Sequence, residues 1–356
     1  MKRIHYIVLA AILTICSGCS ELVIDPTPQV PDMSRSYIFF NPVVNEAIDS
    51  KAALVLGDKL PSDKDTSFGV LGYYNNGTTD VSLFGTAYSG TNGIARVYRP
   101  GNNQLFQYDN LIFWLHPTAN HDFYAFYPYQ INGVVPTISN KAIAYTQPSA
   151  NDATMVDLMT AYNQTGKKSE VDLEFNHRLW ALDIVIKNSQ TQGIDGTAAG
   201  NIVNNPSLYV KNVKVYIDDF PTGGTIPLDG SDSTPNTSVG DYTYTVFTSN
   251  DGQEIKSIHA TTDQALSSKR YGSLLFLPGG TLKYRLEITY VDSRGDEKGT
   301  NTFYFPSQTT YQTSAVDFAE GQRYTLTINK TNDTFVVGTL IPSAWTDYPE
   351  INHEFN

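Results

Sequence analysis

Apolar and polar residues alternate in short runs along most of the chain. Leu282, Tyr284, Leu286, Ile288 and Tyr290 fall on one parity, and Lys283, Arg285, Glu287 and Thr289 on the other. Period-two alternation of this kind predicts a strand with one face buried. Residues 213–217, 302–305 and 324–328 read the same way, each run followed by Asp, Pro or Asn, residues that close strands. Further strands are expected over 36–44, 67–74, 81–88, 93–98, 104–115, 122–127 and 142–146. Helical periodicity is scarce, and Tyr, Phe, Thr and Val are frequent, side chains suited to a pleated, half-buried surface. An all-β chain of antiparallel sandwiches follows.

The parity changes once in mid-chain. Val171, Leu173 and Phe175 are odd, whereas Leu182, Ile184 and Ile186 are even, with Trp180 beside the switch. One extra residue at a β-bulge produces such a change, and a bend there lets a strand leave one sheet and feed a second. A polar stretch at 161–170 lies just before it. The boundary between two domains is therefore expected between 160 and 190, dividing the chain into 36–170 and 171–356. Loops are expected at 188–205 and 228–240, and a loop or short helix at 251–268. Gly223-Gly224-Thr225 and Gly279-Gly280-Thr281 are read as turns.

The N-terminus changes the picture of where the chain resides. Lys2 and Arg3 precede an apolar run over 6–15 and then Cys16-Ser17-Gly18-Cys19, the form of a secretory signal. The apolar run is about half of the roughly 20 residues that span a bilayer. Small residues before Cys19 resemble the lipobox of bacterial lipoproteins, which implies a signal over 1–18 and attachment to outer-membrane lipid through Cys19. Residues 19–35, with Pro26, Pro28 and Pro31, read as a tether. Loss of 1–18 leaves Cys19 as the sole thiol, which excludes internal disulfides and thiolate zinc sites. It also removes Lys2 and Arg3, taking the formal charge from −12 to −14. Such an acidic chain repels phosphate backbones, so nucleic acid is excluded as a partner.

Candidate chemistry is thin. His116, His121, His177, His259 and His353 lack zinc-motif spacing, and His116 and His121 read as a surface loop. His177, on the parity of Phe175 and Leu179, is expected to point inward onto a buried carbonyl. Asp218-Asp219 and the acids of 292–297 are the available carboxylate pairs for glycosidase chemistry, but both adjoin turns. Asp229 to Asp232 lacks the spacing of a calcium loop. No catalytic residue, cofactor or metal site is assigned. Tyr73, Tyr74, Tyr88, Tyr98 and Trp114 are the candidate sugar-stacking aromatics, against their use in strand cores.

Several stretches in order, residues 68–74, 122–129, 157–161 and 171–179, the last with Phe175-x-His177-x-Leu179, resemble the fimbrillin family of the Bacteroidales, subunits of type V pili. Residues 321–328 and 341–345, ending at Trp345, resemble its closing strands. The resemblance implies two transthyretin-like sandwich domains, export as a surface lipoprotein, and polymerisation with other pilus subunits by strand exchange. Arg35 matches the family's processing position. Residues 334–341, with Phe335, Val337, Leu340 and Ile341, supply a donor strand or else close their own sheet. A solitary surface lipoprotein that binds glycans is the alternative reading, and adhesion would engage host or bacterial surface glycans or proteins. Neither reading is enzymatic.

Overall fold

A computed structural model describes residues 37–44, 54–55, 67–75, 77–85, 88–99, 106–115, 119–131, 133–148, 155–188, 193–194, 202–203, 208–255, 268–279, 283–292, 294–305, 318–330 and 335–344. The chain divides into a unit Met1–Tyr37 and a compact unit Ile38–Asn356, and every described strand lies in the second.

The first part of that unit holds β1 (Phe40–Val44), β2 (Leu54–Val55), β3 (Phe68–Asn75), β4 (Asp80–Ser82), β5 (Ala95–Val97), β6 (His121–Tyr127), β7 (Ile138–Ser139), β8 (Ala142–Thr146), β9 (Met159–Thr165) and β10 (Val171–His177). They form a sheet in the order β2-β1-β10-β9-β6-β3-β4, with β5 also on β3, while β7 and β8 leave it. Inward residues alternate strictly along β10, where Val171, Leu173, Phe175 and His177 are buried between exposed Asp172, Glu174 and Asn176. Phe40, Phe68, Phe123 and Phe175 make the floor of a core that Ile38, Phe106, Tyr108 and Trp114 cover.

That covering layer differs from the expected strands. Described residues of 106–115 form no strand: they meet their neighbours through isolated bridges, such as Phe40 with Phe106 and Tyr98 with Gln107, and through the Ile38 N–H, which donates to the Ile112 carbonyl at 3.0 Å, and the chain turns at Asn110 with φ of 53°. Large rings plug the core from an irregular backbone, so burial there does not require a ladder. The expected strand at 81–88 likewise stops at Ser82, and a 3-10 turn follows at Ser89–Thr91. In the opposite sense, the polar stretch expected near a boundary contains β9, the central strand between β10 and β6. Its Tyr162 and Gln164 face outward while Met159 and Ala161 fill the core; β6 pairs along its whole length, and β10 at Met159 and Thr160.

Only Arg178 and Leu179 separate β10 from β11 (Trp180–Asn188). The parity change is this crossing between sheets rather than a bulge within one strand. Beyond it follow β12 (Gly193–Ile194), β13 (Ile202–Val203), β14 (Leu208–Pro221), β15 (Gly223–Pro227), β16 (Thr234–Pro235), β17 (Val239–Ile255), β18 (Ser268–Phe276), β19 (Lys283–Val291), β20 (Glu297–Phe305), β21 (Gln322–Lys330) and β22 (Phe335–Ala344). Sheets β18-β11-β21-β22 and β17-β14-β19-β20 face each other across a core that includes Trp180, Leu182, Ile184, Val213, Val215, Ile217, Leu286 and Ile288. The alternation read in β19 is observed from Tyr284 to Ile288; Tyr290 is only partly buried beside a register shift, and Leu282 lies outside the described residues. Residues 251–255, expected as loop or helix, continue β17, and 256–267 lie outside the described residues. Two ladders are parallel, β1 with β10 and β11 with β21, each closed by a long crossover, as parallel pairs require.

A further four-stranded sheet, β16-β15-β8-β7, joins the halves. β8 and β15 pair from Thr146 with Gly223 to Ala142 with Pro227. A third core lies beside them, with Tyr124, Phe126, Ile143 and Tyr145 against Leu179, Ile226, Leu275 and Leu277. Gly223-Gly224-Thr225, expected as a turn, is instead the start of β15, and its glycines allow close backbone approach. A Cβ on Gly223 would collide with the Tyr145 carbonyl, and one on Gly224 would stand 2.5 Å from both Leu277 Cδ2 and the Thr234 carbonyl oxygen. Buried Gln147 then docks on β18. Its Nε2 donates to the Leu275 carbonyl at 3.0 Å, and its Oε1 accepts from the Leu277 N–H at 3.3 Å, so the amide stands in for a strand residue.

Gln147→Ala strands two buried backbone groups and is expected to destabilise the protein by about 1–3 kcal/mol, read from the urea midpoint. Lys168→Ala, which removes an exposed ion pair with Asp172, is expected to change it by less than about 1 kcal/mol. Gly224→Ala is expected to destabilise as a steric defect of the joint, by roughly 1–3 kcal/mol.

Candidate assembly strand and the sandwich joint

The residues that carry the family resemblance come together at the crossing. Register places His177 opposite Met159, which brings Asp157, two residues before, beside the imidazole. His177 Nδ1 lies 3.0 Å and 2.9 Å from the two Asp157 oxygens, and both side chains are buried. The expected carbonyl partner is therefore a carboxylate, supplied by the 157–161 stretch. Phe175 packs edge-on to Phe68 at 5.4 Å, and Leu179 enters the joint core. Between them, Arg178 Nε sits 2.6 Å from Glu320 Oε1, and its Nη2 donates to the Ser231 carbonyl and to Ser233 Oγ. Ser233 also donates to Glu320 at 3.0 Å. Burial pushes the Glu320 carboxyl above its ordinary value, and Arg178 pulls against that shift. These groups lock the 228–234 loop and the start of β21 onto the crossing, a structural use of charge.

Of the assembly residues, β22 is described and the others are not. Cys19, Arg35 and Trp345 lie outside the described residues. β22 ends the sheet order and pairs antiparallel with β21 from Lys330 with Phe335 to Gln322 with Ala344. Val337 pairs with Ile328, Leu340 with Leu326 and Ile341 with Thr325, across a register shift between Leu326 and Ile328. Phe335 is buried against Tyr290 at 5.5 Å and Phe303 at 6.2 Å, under the Lys330 ammonium. Leu340 packs at the edge of the same core. In this chain, then, the candidate donor strand occupies its own sheet's edge.

Groups considered for chemistry are placed apart. Asp218 and Asp219 sit in an irregularity of β14, not in a turn after it, and Asp219 takes a φ of 55°. Asp292 accepts the Arg294 and Asp296 N–H groups and pairs with Lys298 at 2.8 Å, a closed turn that holds its carboxyl down to about 2. Asp229 caps its own loop through Ser231. Among the described residues no cluster of His, Cys, Asp or Glu is arranged to hold a metal ion. His121 is not in a surface loop but fully buried, 5.0 Å from Trp114 and stacked on Phe123. His116, His259 and His353 lie outside the described residues.

The candidate stacking aromatics are not one platform. Tyr74, Tyr88 and Trp114 belong to the N-terminal core or pack against it, and Tyr98 donates to Asp109. Tyr73 packs against the joint core, edge-on to Tyr124, which in turn meets exposed Tyr162. Sequence reading gave Gln147 and Tyr162 no role, and took Asp157 and Tyr124 only as members of the family stretches 157–161 and 122–129. Only Tyr124 carried a local signal, its parity with Asp122 in 121–127.

A double-mutant cycle on Asp157→Ala and His177→Ala tests the buried pair. Each single change is expected to destabilise by about 1–3 kcal/mol, with a coupling of about 0.5–3 kcal/mol measured by denaturant unfolding.

Comparisons with known proteins agree with this architecture. No curated protein matches the chain, but solved structures share its fold. A putative cell adhesion protein from Bacteroides ovatus superposes with a TM-score of 0.54 at 17% identity, covering 88% of this chain and 99% of that one. One from Bacteroides uniformis gives 0.52 at 19%, covering 87% and 98%. A fimbrial protein from Bacteroides vulgatus gives 0.50 at 16%, covering 86% and 99%. The family model described as fimbrillin-like matches residues 61–345. Because that match runs through both halves and the joint between them, the chain belongs to the fimbrillin-like family.

Proposed function

We propose that the chain is a subunit of a cell-surface pilus, exported as a lipoprotein through Cys19 and assembled by strand exchange with other subunits of its family. As a fimbrillin-like chain it is a structural protein rather than an enzyme. The observation that carries the reading is the family match over 61–345, together with β22 at a sheet edge near the C-terminal end. An edge strand with one paired side presents backbone donors and acceptors to another chain, and alternate side chains set register. The two halves, meeting at Arg178–Leu179, act as two sandwich domains in tandem. Processing after Arg35 would release the tether and its lipid, converting an anchored precursor into a fibre subunit.

Two measurements test this. Protein recovered from the surface of native cells is expected to begin at Ser36 without lipid when taken from fibres, by N-terminal sequencing and intact mass. A fibre form that still begins at acylated Cys19 would remove the processing step. A synthetic peptide of residues 334–344 is expected to slow fibre growth of the purified, processed chain. No effect at a large molar excess would mean that β22 only closes its own sheet.

A further inference from the structure

On the N-terminal sheet an aromatic row runs from the joint core, which holds Tyr124 with Tyr73 packed against it, out to exposed Tyr162. Tyr124 and Tyr162 are register partners on β6 and β9, with ring centroids 4.9 Å apart and planes inclined by 33°. Tyr73 on β3 stands edge-on to Tyr124 at 5.9 Å. Lys141, at the β7–β8 turn, holds its ammonium 4.9 Å from the Tyr124 ring and 5.0 Å from Tyr73, and pairs with Asp80 at 2.7 Å. Tyr124 is covered by these neighbours at 7% exposure. Tyr162, on the central strand, remains 39% exposed.

Cross-strand aromatic pairs stabilise sheets, which accounts for the contact of Tyr124 with Tyr162. It does not account for what surrounds Tyr162. The Tyr162 hydroxyl and the Gln164 amide both donate to one oxygen of Asp122, Oδ1, each at 2.8 Å. The ring is thereby held in one orientation, and its rim carries the second Asp122 oxygen and the Gln164 carbonyl as acceptors. Beyond it, β10 adds outward Asp172 and Glu174.

A flat, fixed ring beside planar acceptors matches a sugar, whose C–H face stacks on an aromatic while its hydroxyls donate. The charge of the face narrows the class. Asp80, Asp122, Asp172 and Glu174 outnumber Lys141 and Lys168, and both ammonium groups are already paired with Asp80 and Asp172. A sialylated or sulfated chain would be repelled, whereas a neutral glycan offers hydroxyl donors to these carboxylates without bringing negative charge. The geometry points to a binding platform for neutral glycans centred on Tyr162 and Asp122. It stands apart from β22 and does not depend on strand exchange.

The test uses the full mature chain, displayed multivalently on beads, against an array of neutral hexose and N-acetylhexosamine glycans and their sialylated and sulfated counterparts. Retention of neutral glycans is expected, with at least a tenfold loss in Tyr162→Ala and a smaller loss in Asp122→Asn. Tyr162→Trp, which keeps a stacking surface, should retain binding and serves as the control where Tyr162→Ala is destabilised. Equal binding by Tyr162→Ala, a preference for acidic glycans, or no retention on any neutral glycan would each overturn the proposal. Because binding is read on the unassembled chain, a failure of fibre growth leaves the result interpretable.

Discussion

Arg178 and Leu179 are the only residues between the last strand of one sheet and the first of the next, and both are buried. So short a crossing leaves no slack. The Arg178 N–H donates to the Leu158 carbonyl, and the Leu179 carbonyl accepts from the Gly321 N–H, so the backbone is tied to both halves at the point of transfer. A guanidinium buried there demands partners, since an unpaired buried charge is costly, and Glu320, Ser231 and Ser233 supply them. The 228–234 loop and the start of β21 are thus positioned by one side chain. The β8–β15 ladder and Gln147 extend the same junction over a wider area.

Without disulfides in reach, apolar burial and joint geometry must hold the halves in register. The cores differ in how they do so. The C-terminal core lies between two regular sheets, where alternation along each strand determines what is buried. The N-terminal core has a regular floor and an irregular cover, in which Phe106, Tyr108 and Trp114 reach down from described segments that form no strand. Tilted and edge-on contacts, such as Phe40 with Tyr108 at 5.8 Å and with Phe123 at 5.6 Å, give that cover specific geometry where ladder hydrogen bonds do not.

For a pilus subunit this division of labour is useful. In the proposed pilus subunit, assembly would draw on the edge strand β22 and ligand contact on the face that carries Tyr162. β22 and the Tyr162 row lie in different halves and on different sheets, so polymerisation and ligand contact need not compete for the same surface.

Alternation along the chain determined that the protein is all-β and which side chains of β10, β11, β14, β19 and β21 face inward, because a strand's parity is a local property. The ordered stretches 157–161 and 171–179 were legible as a family signature without revealing that Asp157 and His177 are partners. Tertiary structure alone decided that contact, since it arises from the pairing of β9 with β10. It also decided that a polar run is the central strand, that 106–115 caps a core without a ladder, and that Gly223 and Gly224 begin a strand rather than a turn. In each case the missing information is the neighbour across the sheet or joint: backbone groups are satisfied by residues distant in sequence, and one chain read in order does not show which.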